Sequence, residues 1–111
     1  MNTHITTHIL NLSSGNPVSN LDVTLYEKHN PDTIFTASTN VDGRIVKWNA
    51  PVKVFKGVWI LTFSTNSWFS QQGQSCFFDD IILSFKVNDV DRDYHVPLLL
   101  NAYGYSTYRG S

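Results

Sequence analysis

The stretch YHVPLLL, residues 94–100, interleaves two patterns: Tyr94, Val96, Leu98 and Leu100 fall on one side, His95, Pro97 and Leu99 on the other. A side-chain repeat of two belongs to a β-strand and not to a helix. The proline inside it points to an edge strand or a bulge, because proline cannot donate to a ladder.

The same period recurs outward in both directions. ITTHIL (5–10) sets Thr6, His8 and Leu10 against Ile5, Thr7 and Ile9, and LDVTLY (21–26) sets Leu21, Val23 and Leu25 against Asp22, Thr24 and Tyr26. SSGNPVSN between them is dense in turn formers. TIFTAST (33–39) is rich in β-branched residues, and Asp42-Gly43 is a hairpin-turn signal leading into RIVKW (44–48). GVWILTFST (57–65) is apolar on both faces, as a central strand is. SWFSQQGQ (67–74) breaks the alternation, with a serine able to cap one or two turns of helix. DIILSFKVND (80–89) alternates again, and Tyr103–Tyr108 supplies the eighth strand. Eight short strands about ten residues apart, with turns between them, predict an all-β sandwich.

Composition sets the frame. The 111 residues fit one domain, residues 1–111, with a single two-layer core. Net charge is −1 and the basic residues are scattered, so no positive stripe exists for nucleic acid. Charged residues make up 15%, against roughly 25% in an average soluble chain, while aromatics reach 14%. That imbalance anticipates surface buried between subunits. Cys76 is the only cysteine, which excludes an intrachain disulfide and suits a reducing compartment. No basic leader and no apolar run near 18 residues is present, so the expectation is a soluble, cytoplasmic protein without a membrane span.

Four histidines need explaining. His29, in the polar KHNPD, and His4, near the start, read as exposed residues without a role. His8 and His95 sit mid-strand among apolar neighbours, where a polar ring needs a partner or a use. On the residues alone, the ordinary reading of each is a satisfied structural histidine, and Arg44 and Arg109 read equally well as solvated charges. His4 and His8 share a face but lack a nearby third ligand, so no zinc site is expected. Nucleophile-elbow, P-loop and dinucleotide motifs are absent. Cys76, flanked by phenylalanines, reads as small apolar filler.

Taken together, THIL and SSGNPV near the start, DGR at 42–44, YHVPLLL at 94–100 and YRGS at 108–111 resemble one family. They look like 5-hydroxyisourate hydrolase, the transthyretin-related enzyme of urate breakdown, over essentially the whole chain and in the same order. Asp-Gly-Arg alone is common, whereas YHVPLLL with a terminal YRGS is specific. Transthyretin itself shares the fold but lacks the Tyr-Arg-Gly-Ser ending and the paired histidines. Two departures, FFDD (77–80) for the family's frequent Phe-Phe-Pro-Glu and Trp59 for a frequent tyrosine, fall outside the motif positions.

The resemblance implies a transthyretin-like sandwich of two four-stranded sheets with one short helix, assembled as a homotetramer. Its active sites would lie in a channel between dimers. It also implies opening of the six-membered ring of 5-hydroxyisourate by water, giving 2-oxo-4-hydroxy-4-carboxy-5-ureidoimidazoline, with no metal or other cofactor. On that reading His8 and His95 form the acid–base pair and Arg44 holds substrate and stabilises developing negative charge. Ser111 would complete the pocket with its hydroxyl and terminal carboxylate, Tyr108 and Arg109 would position it, and Gly110 would allow close backbone approach. The main alternative is a non-catalytic transthyretin-like module that binds a small ligand, and a third reading is a structural interaction domain whose exposed β-edges pair with a partner.

Overall fold

The alternation in residues 94–100 resolves into a strand with Tyr94, Val96, Leu98 and Leu100 in the core. The structure, a computed structural model, describes residues 3–111. In chain order the elements are β1 (Ile5–Asn11), β2 (Asp22–Glu27), β3 (Asn30–Ser38), β4 (Arg44–Ile45), β5 (Gly57–Phe63), α1 (Thr65–Gln71), β6 (Ile81–Val87), β7 (Tyr94–Asn101) and β8 (Gly104–Thr107). They form two four-stranded sheets, ordered β4-β1-β7-β8 and β3-β2-β5-β6.

The inward residues of both sheets meet in one core: Ile5 and Ile9 from β1, Val23 and Leu25 from β2, Trp59, Leu61 and Phe63 from β5, Leu98 and Leu100 from β7. Each such side chain contributes on the order of 1.5–3 kcal/mol on burial. Stability therefore resides between the sheets. The outward face of β4-β1-β7-β8 carries Thr6, His8 and His95 beside the apolar Leu10, Pro97 and Leu99.

β1 and β7 pair in parallel, Ile5 opposite Tyr94 through Asn11 opposite Leu100. This pairing joins the two segments that carry the mid-strand histidines. β7 is internal, flanked by β1 and β8, so Pro97 does not mark an edge. The peptide groups of a strand point alternately to its two neighbours. Since the His95 carbonyl accepts from Gly110 N–H at 2.8 Å, the amide that Pro97 lacks would also face β8. There regular pairing ends at Leu98–Thr107 and resumes only at the His95–Gly110 bridge. The proline sits where the ladder lapses.

Other boundaries shift for local reasons. β3 begins at Asn30 rather than residue 33, because the buried Glu27 carboxylate accepts from His29 N–H at 2.9 Å and Asn30 Nδ2 at 3.1 Å, which lets the chain reverse at once. Asp42-Gly43 does form a tight turn, but β3 and β4 lie in different sheets, so it is a crossing and not a hairpin. Gly43 has φ +73°, and a Cβ there would stand 2.5 Å from the Ile9 carbonyl oxygen. β4 ends after two residues instead of running to residue 48, and the Trp48 indole N–H donates to the Ile5 carbonyl at 2.9 Å. Helix α1 starts earlier than expected, with Ser64 rather than Ser67 at its N-cap position, which stops β5 at Phe63. Buried Phe69 anchors it to the core. Among the described residues, no helix is long and apolar enough to cross a membrane.

Candidate functional site

β1 carries Thr6 and His8 on its outward face, with Ile5, Thr7 and Ile9 turned inward. In the antiparallel β1–β4 pair His8 lies opposite Arg44. In the parallel β1–β7 pair it lies opposite Pro97, and Thr6 lies opposite His95. Adjacent strands are about 4.8 Å apart and like-facing neighbours along a strand about 6.7 Å apart. Arg44, His8 and Pro97 thus make one row, and Thr6, His95 and Gly110 the next.

His95 is half-buried and held along both edges. Its Nδ1 lies 2.8 Å from Thr6 Oγ1. On its other side Gly110 comes so close that a Cβ there would be 2.5 Å from His95 Cδ2. Partial burial, then the Arg44 guanidinium, then the His8 ring push the His95 imidazole below the ordinary histidine range. A neutral imidazole beside a cation is suited to take a proton from water at neutral pH.

The residues after β8 arrive on both sides of this sheet. Two residues on each strand separate the Leu98–Thr107 pair from the His95–Gly110 bridge, so the count is bulge-free and Tyr108 falls opposite Pro97. Tyr108 is 59% exposed. Arg109 turns the other way, its guanidinium carbon 4.6 Å from the centre of the Tyr94 ring. This contact fixes the segment that brings Gly110 to His95, and it leaves Arg109 on a different face from Arg44. Ser111 follows immediately and is exposed.

Of the candidates His8, Arg44, His95, Tyr108, Arg109, Gly110 and Ser111, the structure gathers His8, Arg44, His95, Tyr108 and Gly110 on one surface and turns Arg109 to the other side of the strand, with Ser111 exposed beyond it. Thr6 was not among these candidates. The parity of ITTHIL places Thr6 beside His8, but its contact with a residue 89 positions away requires the parallel β1–β7 pairing. The other histidines lie elsewhere: His4 Nδ1 is 3.2 Å from Asp93 Oδ1, and His29 occupies the β2–β3 turn. Among the described residues, no three His, Cys, Asp or Glu side chains converge as a metal site would need. Cys76 is half-buried against the core and directs its Sγ to the Phe78 carbonyl at 3.2 Å.

An eight-stranded transthyretin-like sandwich with two histidines and an arginine on the open face of one sheet defines the class. The chain belongs to the HIUase/Transthyretin family, whose profile it matches over residues 5–110. It is 36% identical over 113 residues to a probable 5-hydroxyisourate hydrolase of Schizosaccharomyces pombe, covering 96% of this chain and 90% of that protein. The structure of Klebsiella pneumoniae 5-hydroxyisourate hydrolase superposes with a TM-score of 0.86 at 32% identity, covering 98% of this chain and 100% of that one. Sea bream transthyretin, at 21% identity and a TM-score of 0.83 over 96% of this chain and 93% of that one, shares the fold.

Proposed function

We propose that the chain hydrolyses 5-hydroxyisourate to 2-oxo-4-hydroxy-4-carboxy-5-ureidoimidazoline, acting as a single domain over residues 1–111. The observation that carries the proposal is the convergence of Arg44, His8 and His95 on one open sheet face, close enough that both neighbours depress the His95 pKa. Relatives named as hydrolases at this identity support it. A binding-only module gains no support, because the two histidines are not separated or sealed in the core.

The chemistry follows from the side chains. One histidine takes a proton from water as its oxygen bonds to the ring carbonyl carbon. Arg44, a planar fork of donors, stabilises the oxyanion that develops. The tetrahedral centre then collapses, the ring C–N bond breaks, and a histidine returns a proton to the leaving nitrogen. No step calls for a metal or other cofactor. Ser111, through its hydroxyl, and Tyr108 border the pocket. Gly110 permits the close backbone approach, and Arg109 holds the segment in place against Tyr94.

The sheet face is open in one protomer, so the pocket is proposed to close in a homotetramer where two such faces meet across a channel. A cytoplasmic site of action is part of the same reading. The test is to generate 5-hydroxyisourate from urate with a uricase and follow its ultraviolet absorbance. Acceleration over the spontaneous decay supports the proposal, and an unchanged rate ends it.

A further inference from the structure

The adjacent threonines of β1 do different work. Thr7, fully buried, donates its hydroxyl to the Val96 carbonyl at 2.6 Å, an ordinary satisfied core contact. Thr6, on the outward face, spends its hydroxyl on a ring nitrogen, His95 Nδ1, at 2.8 Å.

We infer that Thr6 is a positioning residue for His95: its hydroxyl accepts the Nδ1–H of the neutral imidazole and thereby leaves the Nε2 lone pair facing the open sheet surface. The catalytic meaning of this rests on the hydrolase reading above; the geometry does not.

Three features support it. A β-branched residue in a strand has restricted χ1, so the hydroxyl is held in place before His95 uses it. The ring cannot swing away on its other side, because Gly110 occupies the space beside Cδ2. Among the charged and titratable groups on the packed elements, Arg44 from β4 and His8 from β1 both disfavour added positive charge on the ring. A carboxylate in Thr6's place would orient the imidazole equally well but would raise its pKa. A hydroxyl fixes the tautomer and adds no charge, so the ring stays neutral. When Nε2 accepts a proton from water, Nδ1–H still donates to Thr6, so one hydrogen bond serves the resting base and its conjugate acid alike.

The experiment uses the full chain with 15N-labelled histidine. Long-range 1H–15N correlation spectra at a pH where His95 is neutral should show Nδ1 protonated and Nε2 bare. Thr6→Val, which removes the hydroxyl but keeps the branched shape, should move the ring toward the Nε2–H form. It should also lower kcat on 5-hydroxyisourate by about 10-fold to 100-fold, as loss of an orienting partner does, with KM little changed. Thr6→Ser should recover the tautomer and most of the rate. A wild-type ring protonated at Nε2, or a Thr6→Val variant with unchanged tautomer and kcat, overturns the inference. The wild-type spectrum decides even if Thr6→Val does not fold. It also decides if the protein proves not to be a hydrolase, since the spectrum does not depend on turnover.

Discussion

Gly110 donates its backbone N–H to the His95 carbonyl at 2.8 Å, and its α-carbon lies so near the imidazole that a Cβ would stand 2.5 Å from Cδ2. Position 110 is a glycine because any side chain would occupy the space of the ring. The sequence motif Tyr-Arg-Gly-Ser thus acquires a steric cause at its third residue.

Gly110→Ala should therefore displace the His95 ring. A shift on the order of 1 Å costs about 10²-fold in rate, with the sandwich core untouched. Gly104→Ala is the control, since a β-carbon there would meet no atom within 4 Å and its φ is ordinary. Steady-state kinetics with thermal unfolding of both variants checks this. Equal activities would show that the ring tolerates the methyl group.

His95→Ala should lower kcat by about 10²–10⁴-fold, the usual loss for a general acid or base. Circular dichroism and thermal unfolding should remain close to wild type, because His95 faces outward from the core. Near-wild-type turnover would remove His95 from the chemistry.

Arg44→Ala should lower kcat by about 10²–10³-fold if the guanidinium stabilises the oxyanion. Arg44→Lys keeps the charge but not the planar fork, so it should recover only part of the loss.

The pH profile follows from the direction of the His95 shift. Partial burial, Arg44 and His8 hold its pKa below the ordinary value of about 6.5. The active neutral ring should persist at pH 7, and the acid limb of kcat/KM should have its midpoint below 6.5. The same shift acts on stability: as pH falls through 6.5 the unfolded chain takes up this proton first, so His95's contribution declines toward the folded pKa and is constant above 6.5. Arg44→Ala removes one of the depressing charges and should move the acid limb upward.

Gly43→Ala tests the crossing between the sheets. The left-handed φ alone costs about 1–3 kcal/mol for a residue with a side chain, and the contact with the Ile9 carbonyl adds to it. Denaturant unfolding should show a loss of at least that size. Because Arg44 follows directly, activity should fall as well.

Much of the sandwich was legible because its strands have one buried face, so ITTHIL, LDVTLY and YHVPLLL alternate plainly. What alternation cannot convey is which strand lies beside which. Pro97 looked like an edge residue because its ring removes a donor; it is internal because β8 leaves the ladder opposite it. Glu27 falls between LDVTLY and the polar KHNPD and carries no pattern of its own, yet its buried carboxylate gathers the donors of a tight turn. The candidate site was partly legible for the same reason. His8, Arg44 and His95 are chemically distinctive wherever they stand, whereas Thr6 is an ordinary strand threonine until β1 meets β7 in parallel.

Every catalytic role proposed for the outward face of β4-β1-β7-β8 depends on its catalysing the addition of water to 5-hydroxyisourate. The ultraviolet decay of uricase-generated 5-hydroxyisourate, measured side by side with wild type, His95→Ala and no protein, tests this most directly. Rapid decay is expected with wild type, and decay slower by about 10²-fold or more with His95→Ala. Spontaneous-rate decay with folded wild-type protein, or equally fast decay with both proteins, would contradict it.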